Sequence, residues 1–409
     1  MKKLMKMAIC CALALFYSAE INAAGFALYE FSARGNAMGG AVLANKAEPA
    51  SIASNPALIT QLEGTQVQTG LTAVIVDGSA EISGQRRDLK TGVFYLPNLY
   101  LTQQMNEHIF LGLGFFSRFG LGGEYKNPQT WTAAYATSAI TGIPPQSYKM
   151  DLVTYSINPV MAAKVTDEIS LAGGFEIMYA KLTEEKGPNN SMGKIEIEGD
   201  STTWGANFGV TYNPNWAKEW VAALTYRTKT RHLATGEIRG KGAFASSSGS
   251  ASAALALPDQ LAFGLSFTPS ERFTIEGDIM GIFWSSYKQL RVDYDDITRL
   301  PQNEYKHYKD VYRLSLGAEF ALTDAWDLRA GYVYDQSPIN PNFMDTMVPA
   351  DNRHMFSGGL GYKIGEFGVD ASYTYMFVSD LSGTAEDGQP MKYDGARSQM
   401  IGLSIKYAF

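Results

Sequence analysis

From Thr65 onward the chain alternates apolar and polar residues with a period of two, interrupted at intervals by Gly, Pro, Asn and Asp. The end of the chain shows it most clearly. Ile401, Leu403, Ile405, Tyr407 and Phe409 fall on one face, and Met400, Gly402, Ser404, Lys406 and Ala408 on the other, as the pleat of a strand requires. The same division separates Leu261, Phe263, Leu265 and Phe267 from Ser266. It separates Tyr312, Leu314, Leu316 and Phe320 from Lys309, Arg313 and Glu319, and Phe367, Val369, Tyr373 and Phe377 from Asp370, Ser372 and Thr374. Extended along the chain, the pattern predicts about fourteen strands. They cover 65–78, 89–104, 108–121, 151–165, 168–182, 193–212, 218–238, 258–269, 272–289, 304–322, 326–336, 353–364, 366–380 and 397–409. Most are long enough to cross a bilayer at a tilt.

Two architectures accept such strands. A soluble sandwich would leave the terminal apolar row at an open edge, which invites aggregation. A closed barrel in a membrane turns that row to lipid and the polar row to the lumen. The connections favour the barrel, because short turns (such as Asn213-Pro214-Asn215 and Thr323-Asp324-Ala325) alternate with long links near 79–88, 122–150, 183–192, 239–257, 290–303, 337–352 and 381–396. Short periplasmic turns, longer outer loops and an even strand count are habits of bacterial outer-membrane barrels. The fold predicted is therefore all-β, an antiparallel transmembrane barrel.

The first 23 residues read as a secretory signal: Lys2, Lys3 and Lys6, an apolar run from Met7 to Tyr17, then small residues at Ala23-Ala24. Cys10 and Cys11 both lie inside it, so no disulfide framework is expected in the mature chain. A lipoprotein reading fits less well, since both cysteines sit within the apolar run. Residues 24–64 fit no strand and are far longer than a connection needs. Their Ala, Ile, Leu and Phe content is high for a disordered leader, so a compact plug in the lumen is the reading preferred, with the barrel occupying 65–409.

Composition removes some functions. The formal charge of −7 argues against nucleic acid. His108, His232, His307 and His354 stand apart, without metal-ligand spacing, and no Gly-x-Ser-x-Gly elbow occurs. Neither catalysis, a metal nor a cofactor is expected.

Three stretches carry a family resemblance: Ala24-Gly25-Phe26-Ala27-Leu28-Tyr29 with Ser54-Asn55-Pro56-Ala57-Leu58, Tyr308 to Gly317 with Leu328-Arg329-Ala330-Gly331, and Tyr407-Ala408-Phe409. The chain resembles the FadL-type long-chain fatty acid transporters of the bacterial outer membrane. The resemblance implies a fourteen-stranded barrel with an N-terminal hatch marked by Asn55, Pro56 and Ala57. It also implies an apolar internal pocket and a sideways exit at a kink in the third strand, here Ser117, Arg118, Phe119 and Gly120. Glycine often marks strand bends, although ordinary glycines near a loop would look the same.

A fatty acid also needs a cation for its carboxylate. Lys309 and Arg313 are candidates on the lumen row of the tenth strand, with Lys306 and Arg329 nearby; alternatively these cations pair with Glu319, Asp335, Glu276 or Asp278. The resemblance makes Phe26 a mobile apolar contact. It also implies an outer groove between the third and fourth loops, yet the third, around 183–192, is short and polar. The second loop, with Trp131, Tyr135 and Ile140, is an alternative capture site. The expected partners are a hydrophobic substrate (fatty acid, or aromatic or aliphatic hydrocarbon) and the lipid and lipopolysaccharide around a monomeric barrel. A general porin for polar solutes and a structural or adhesive surface barrel are the rivals.

Overall fold

The structure, a computed structural model, describes residues 27–128, 147–190, 193–245, 248–295, 302–348 and 351–409. The expected signal, Phe26 and the apolar residues of the second loop lie outside them.

Fourteen antiparallel strands form a closed wall. The first four are Thr65–Ile82, Gly92–Gln104, a third in two pieces (Ile109–Phe116 and Gly120–Glu124), and Ser147–Lys164. The fifth and sixth are Ile169–Asn190 and Gly193–Tyr212. The seventh to tenth are each in two pieces: Trp220–Arg227 with Thr230–Gly242, Gly249–Leu257 with Gln260–Ser270, Phe273–Ile282 with Gln289–Tyr294, and Gln302–Tyr305 with Val311–Ala321. The last four are Trp326–Asp335, Arg353–Ile364, Phe367–Val378 continued by Leu381–Thr384, and Pro390–Ala408. The ring closes where the first strand pairs with the last, from Gln66 opposite Ala408 to Ile82 opposite Met391.

Exposure decides which face meets lipid. Ile401, Leu403 and Ile405 are 53%, 50% and 45% exposed, whereas Ser404 between them is 1% exposed. The same inversion holds for Leu261, Phe263 and Leu265 against Ser266, and for Tyr312, Leu314 and Leu316 against Arg313 and Ser315. A water-soluble barrel would bury those apolar rows, at roughly 1.5–3 kcal/mol for each large side chain. A hydrocarbon surroundings reverses the preference.

The prediction misplaced several boundaries, for one physical reason. The link expected at 183–192 is largely the paired ends of the fifth and sixth strands, and most of that expected at 239–257 belongs to the seventh and eighth. Beyond the lipid both faces meet water, so the alternation fades. Cross-strand charges replace it there, such as Lys181 with Glu198 and Lys194 with Glu185.

Residues 27–64 hold a five-residue helix (Ala33–Ala37), a single helical turn (Ser51–Ser54) and a 3₁₀ segment (Pro56–Gln61). Most of this stretch is buried. It touches opposite sides of the ring: Ala33 N–H donates to Ser404 on the last strand, Asn36 bonds Thr72 on the first, Ala44 N–H donates to Glu276 on the ninth, and Thr60 bonds Ser170 on the fifth.

Candidate functional site

The third strand breaks where its alternation stops. From Phe116 to Gly122 every residue is buried, so no side chain in this stretch points to lipid. Against the fourth strand the register passes from Phe116 opposite Ser156 to Gly120 opposite Val153, which sets three residues against two. Such a bulge bends its strand. On the other side, pairing with the second strand ends at Leu99 opposite Phe115, and contact resumes at an isolated bridge between Leu89 and Tyr125. Among the described residues no strand pairing joins 92–98 to the upper piece of the third strand. Pro97, which has no N–H to offer, lies within that stretch.

Peptide groups freed in lipid cost several kcal/mol each, and local partners take up three of those at the break. The Thr154 hydroxyl accepts from Phe119 N–H at 3.1 Å and donates to its carbonyl at 2.5 Å. Arg118 C=O accepts from Leu28 N–H at 2.7 Å, and Ala27 bridges Phe119. The Arg118 side chain turns into the lumen, where Nη1 donates to Glu176 at 2.8 Å and Nη2 to Gln260 at 3.3 Å. Gly120, expected within the kink, opens the upper piece instead.

The Asn-Pro-Ala tripeptide is a stiff corner. Asn55 is extended (φ −136°, ψ 101°), as the residue before proline prefers. Its side chain accepts from Ala57 N–H at 3.1 Å and donates to Leu43 C=O at 2.7 Å, which ties two parts of the segment together.

Ion pairs fasten this segment to the wall. Arg34 and Lys46 both reach Glu319, at 3.1 and 2.7 Å, and Arg329 reaches the same carboxylate at 2.7 Å. Burial alone would draw the Arg34 pKa down, but Glu319 and the nearby acids hold it above its ordinary value. Arg329 also bonds Asp370.

The candidate cations separate. Arg313 is buried, with its guanidinium 4.2 Å from the Tyr29 ring centre and 3.4 Å from Asp335, an acid it shares with Arg353. Burial is the largest of the effects that push the Tyr29 hydroxyl pKa up. Lys309 does not join Arg313. It stands exposed between the two pieces of the tenth strand, because the alternation that linked 309 to 313 is lost before Val311. Lys306 is buried against Glu304 and Asp345, and Lys186 joins it through Glu304. Around this group lie Tyr287, Tyr308, Met347 and Tyr393, in a large apolar cluster that also holds Phe119, Trp284 and Leu257.

Tyr29, Phe31, Leu43, Arg227, Gln260 and Arg313 are among the residues around a cavity of about 50 Å³. That is room for a few waters and far too little for a long acyl chain. Glu176, Arg227 and Lys186 were missed in the sequence. Glu176 and Arg227 were findable as lone ionisable residues on lumen rows.

A closed outer-membrane barrel whose interior is filled from its own N-terminus, and whose third strand is broken, defines a transport barrel. The chain belongs to the outer membrane protein transport protein family (OMPP1/FadL/TodX), whose model matches residues 14–409. It is 24% identical to a long-chain fatty acid transport protein of Escherichia coli O6:H1, over 99% of this chain and 98% of that one. It is 26% identical to outer membrane protein P1 of Haemophilus influenzae, over 95% and 96%. Its fold is similar to that of a Pseudomonas aeruginosa FadL homologue (TM-score 0.82, 18% identity, 94% of this chain and 100% of that one). It is also similar to the Ralstonia pickettii toluene transporter TbuX (TM-score 0.72, 18% identity, 93% and 99%).

Proposed function

We propose that this protein takes up hydrophobic molecules, long-chain fatty acids first. Residues 24–64 act as a hatch, and the substrate leaves sideways through the wall at Ser117-Arg118-Phe119. The observation that carries the reading is the end of the ladder between the second and third strands at Leu99 opposite Phe115, beyond which Leu28 of the hatch holds the Arg118 carbonyl. An acyl chain gains roughly 0.8 kcal/mol per CH₂ on leaving water, so a lateral path into lipid suits it better than a watery pore. The small cavity means that hatch residues must move before substrate passes.

The buried Lys186 and Lys306 within an apolar cluster favour an acid, since a cation there can exchange Glu304 or Asp345 for a substrate carboxylate. Arg313 beside Tyr29 is a second carboxylate contact nearer the hatch, and Lys309 serves the outer approach. Aromatic hydrocarbons are the alternative, which the likeness of the fold to two toluene transporters suggests. The test is uptake and growth of a deletion strain, complemented with this gene, on oleate and on toluene. Rescue on oleate alone supports the acid, and rescue on toluene alone replaces it.

A further inference from the structure

The hatch meets residue 118 twice, once through the backbone of Leu28 and once through buried charges. Arg227 ends the lower piece of the seventh strand. Its Nη2 donates to the carbonyls of Ile52 and Ala53, at 2.8 and 2.9 Å, in the helical turn just before Asn55. Its Nη1 donates to Glu176 Oε2 and to Asn158 Oδ1, both at 3.2 Å. Arg118 Nη1 donates to that same Glu176 oxygen at 2.8 Å. The three side chains are 7%, 0% and 2% exposed in the order Arg227, Glu176, Arg118. Arg227 also lies 5.5 Å from the ring centre of Phe116, the last residue before the break.

Two cations on one carboxylate leave a surplus positive charge, and burying it unpaired is costly. The two hatch carbonyls supply the missing negative ends. We propose that Arg227 and Glu176 are positioning residues that couple the hatch to the wall opening. This rests on the hatch and lateral-exit reading above. With the hatch seated, Arg227 is shared between its carbonyls and Glu176, and Arg118 keeps the short bond that draws the break inward. When the 51–54 turn moves, Arg227 follows its two carbonyls and leaves Glu176. Glu176 then keeps only one of the two arginine donors on its shared oxygen, its carboxylate is free to shift, and the Arg118 bond loosens, so Ser117 to Phe119 relaxes and the wall opens in response to the hatch.

The test follows accessibility rather than uptake. Cys10 and Cys11, the only cysteines of the chain, fall in the expected signal, so single reporter cysteines can be read alone. S117C reports the break, S54C the hatch, and S398C the lumen row of the last strand. Labelling by a small maleimide is timed in outer-membrane vesicles carrying the full chain with or without R227M. The expected result is a rise of about tenfold at both 117 and 54, the scale of losing a charged hydrogen bond, with 398 unchanged. R227K, which keeps the charge and part of the donor set, should give a smaller rise at the same two sites. It serves as the test variant if R227M fails to assemble. A rise at 54 without one at 117 overturns the coupling, as does no rise at either, or an equal rise at 398. No substrate is involved, so a failure of lateral exit, tested by uptake in the Gly120→Val variant, is separate from a failure here.

Discussion

Leu28 donates its N–H to the carbonyl of Arg118 at 2.7 Å, so the start of the described chain serves as a strand fragment for the break in its own wall. The neighbouring bridge of Ala27 to Phe119 extends the contact. A wall in lipid keeps its peptide groups paired, and here one pairing partner comes from the N-terminal segment rather than from another wall strand. On the hatch reading proposed above, closure of the wall is thereby tied to the position of the N-terminus.

Replacing Leu28 with proline removes that donor while keeping an apolar side chain. One neutral hydrogen bond contributes about 0.5–1.5 kcal/mol, so local opening should rise roughly two- to tenfold. Hydrogen–deuterium exchange should quicken in peptides covering 27–40 and 116–120 and stay unchanged in the tenth to fourteenth strands. Unchanged exchange near residue 118 would mean that the bond does not hold the break closed.

A β-branched residue favours regular strand, so Gly120→Val should extend the upper piece of the third strand downward and narrow the break. Uptake of radiolabelled oleate should fall several-fold, while the barrel keeps its heat-modifiable migration and surface expression. Normal uptake in correctly assembled protein would count against a lateral exit.

The wall was legible in the sequence because lipid imposes one rule on every strand. Ile401, Leu403 and Ile405 had to share a face, and the sequence shows them doing so. Above the lipid that rule lapses. Hence Glu184 to Lys186 read as a loop although they pair with 195–197 in a ladder. Lys309 was assigned to the lumen by counting back from Arg313, and the count failed where the strand is interrupted before Val311. The Asn-Pro-Ala corner was readable from the backbone limits of proline. The link from Arg227 to Arg118 was not, since it joins residues more than a hundred apart through an acid, Glu176, that local pattern cannot pair with either.

Glu319 gathers Arg34 and Lys46 from the hatch and Arg329 from the wall. Glu319→Gln leaves the buried Arg34 without its main counter-charge, and breaking a buried pair typically costs about 3–5 kcal/mol. Arg329 keeps Asp370, so the loss should fall on the hatch. Limited proteolysis from the periplasmic side should cut within residues 30–50, with the barrel fragment intact. Cleavage of barrel strands at the same rate would instead make Glu319 a general stabiliser.

Arg313 and Lys306 give the acid reading its sharpest test, because each has an acid that a substrate carboxylate can displace and each acid keeps another donor. Asp335 retains Arg353 if Arg313 is changed to methionine; if Lys306 is changed, Glu304 retains Lys186 and Asp345 retains the Met347 N–H. Methionine keeps much of the apolar stem, so the barrel should assemble normally. A charged hydrogen bond contributes about 1.5–3 kcal/mol, so oleate binding should weaken by roughly one to two orders of magnitude at whichever cation holds it. The neutral methyl ester should bind the variant and the parent alike in a tryptophan-quenching titration. Equal loss of acid and ester would assign the residue to packing. No loss of either in both variants would remove the carboxylate from these two sites and leave the hydrocarbon reading the stronger.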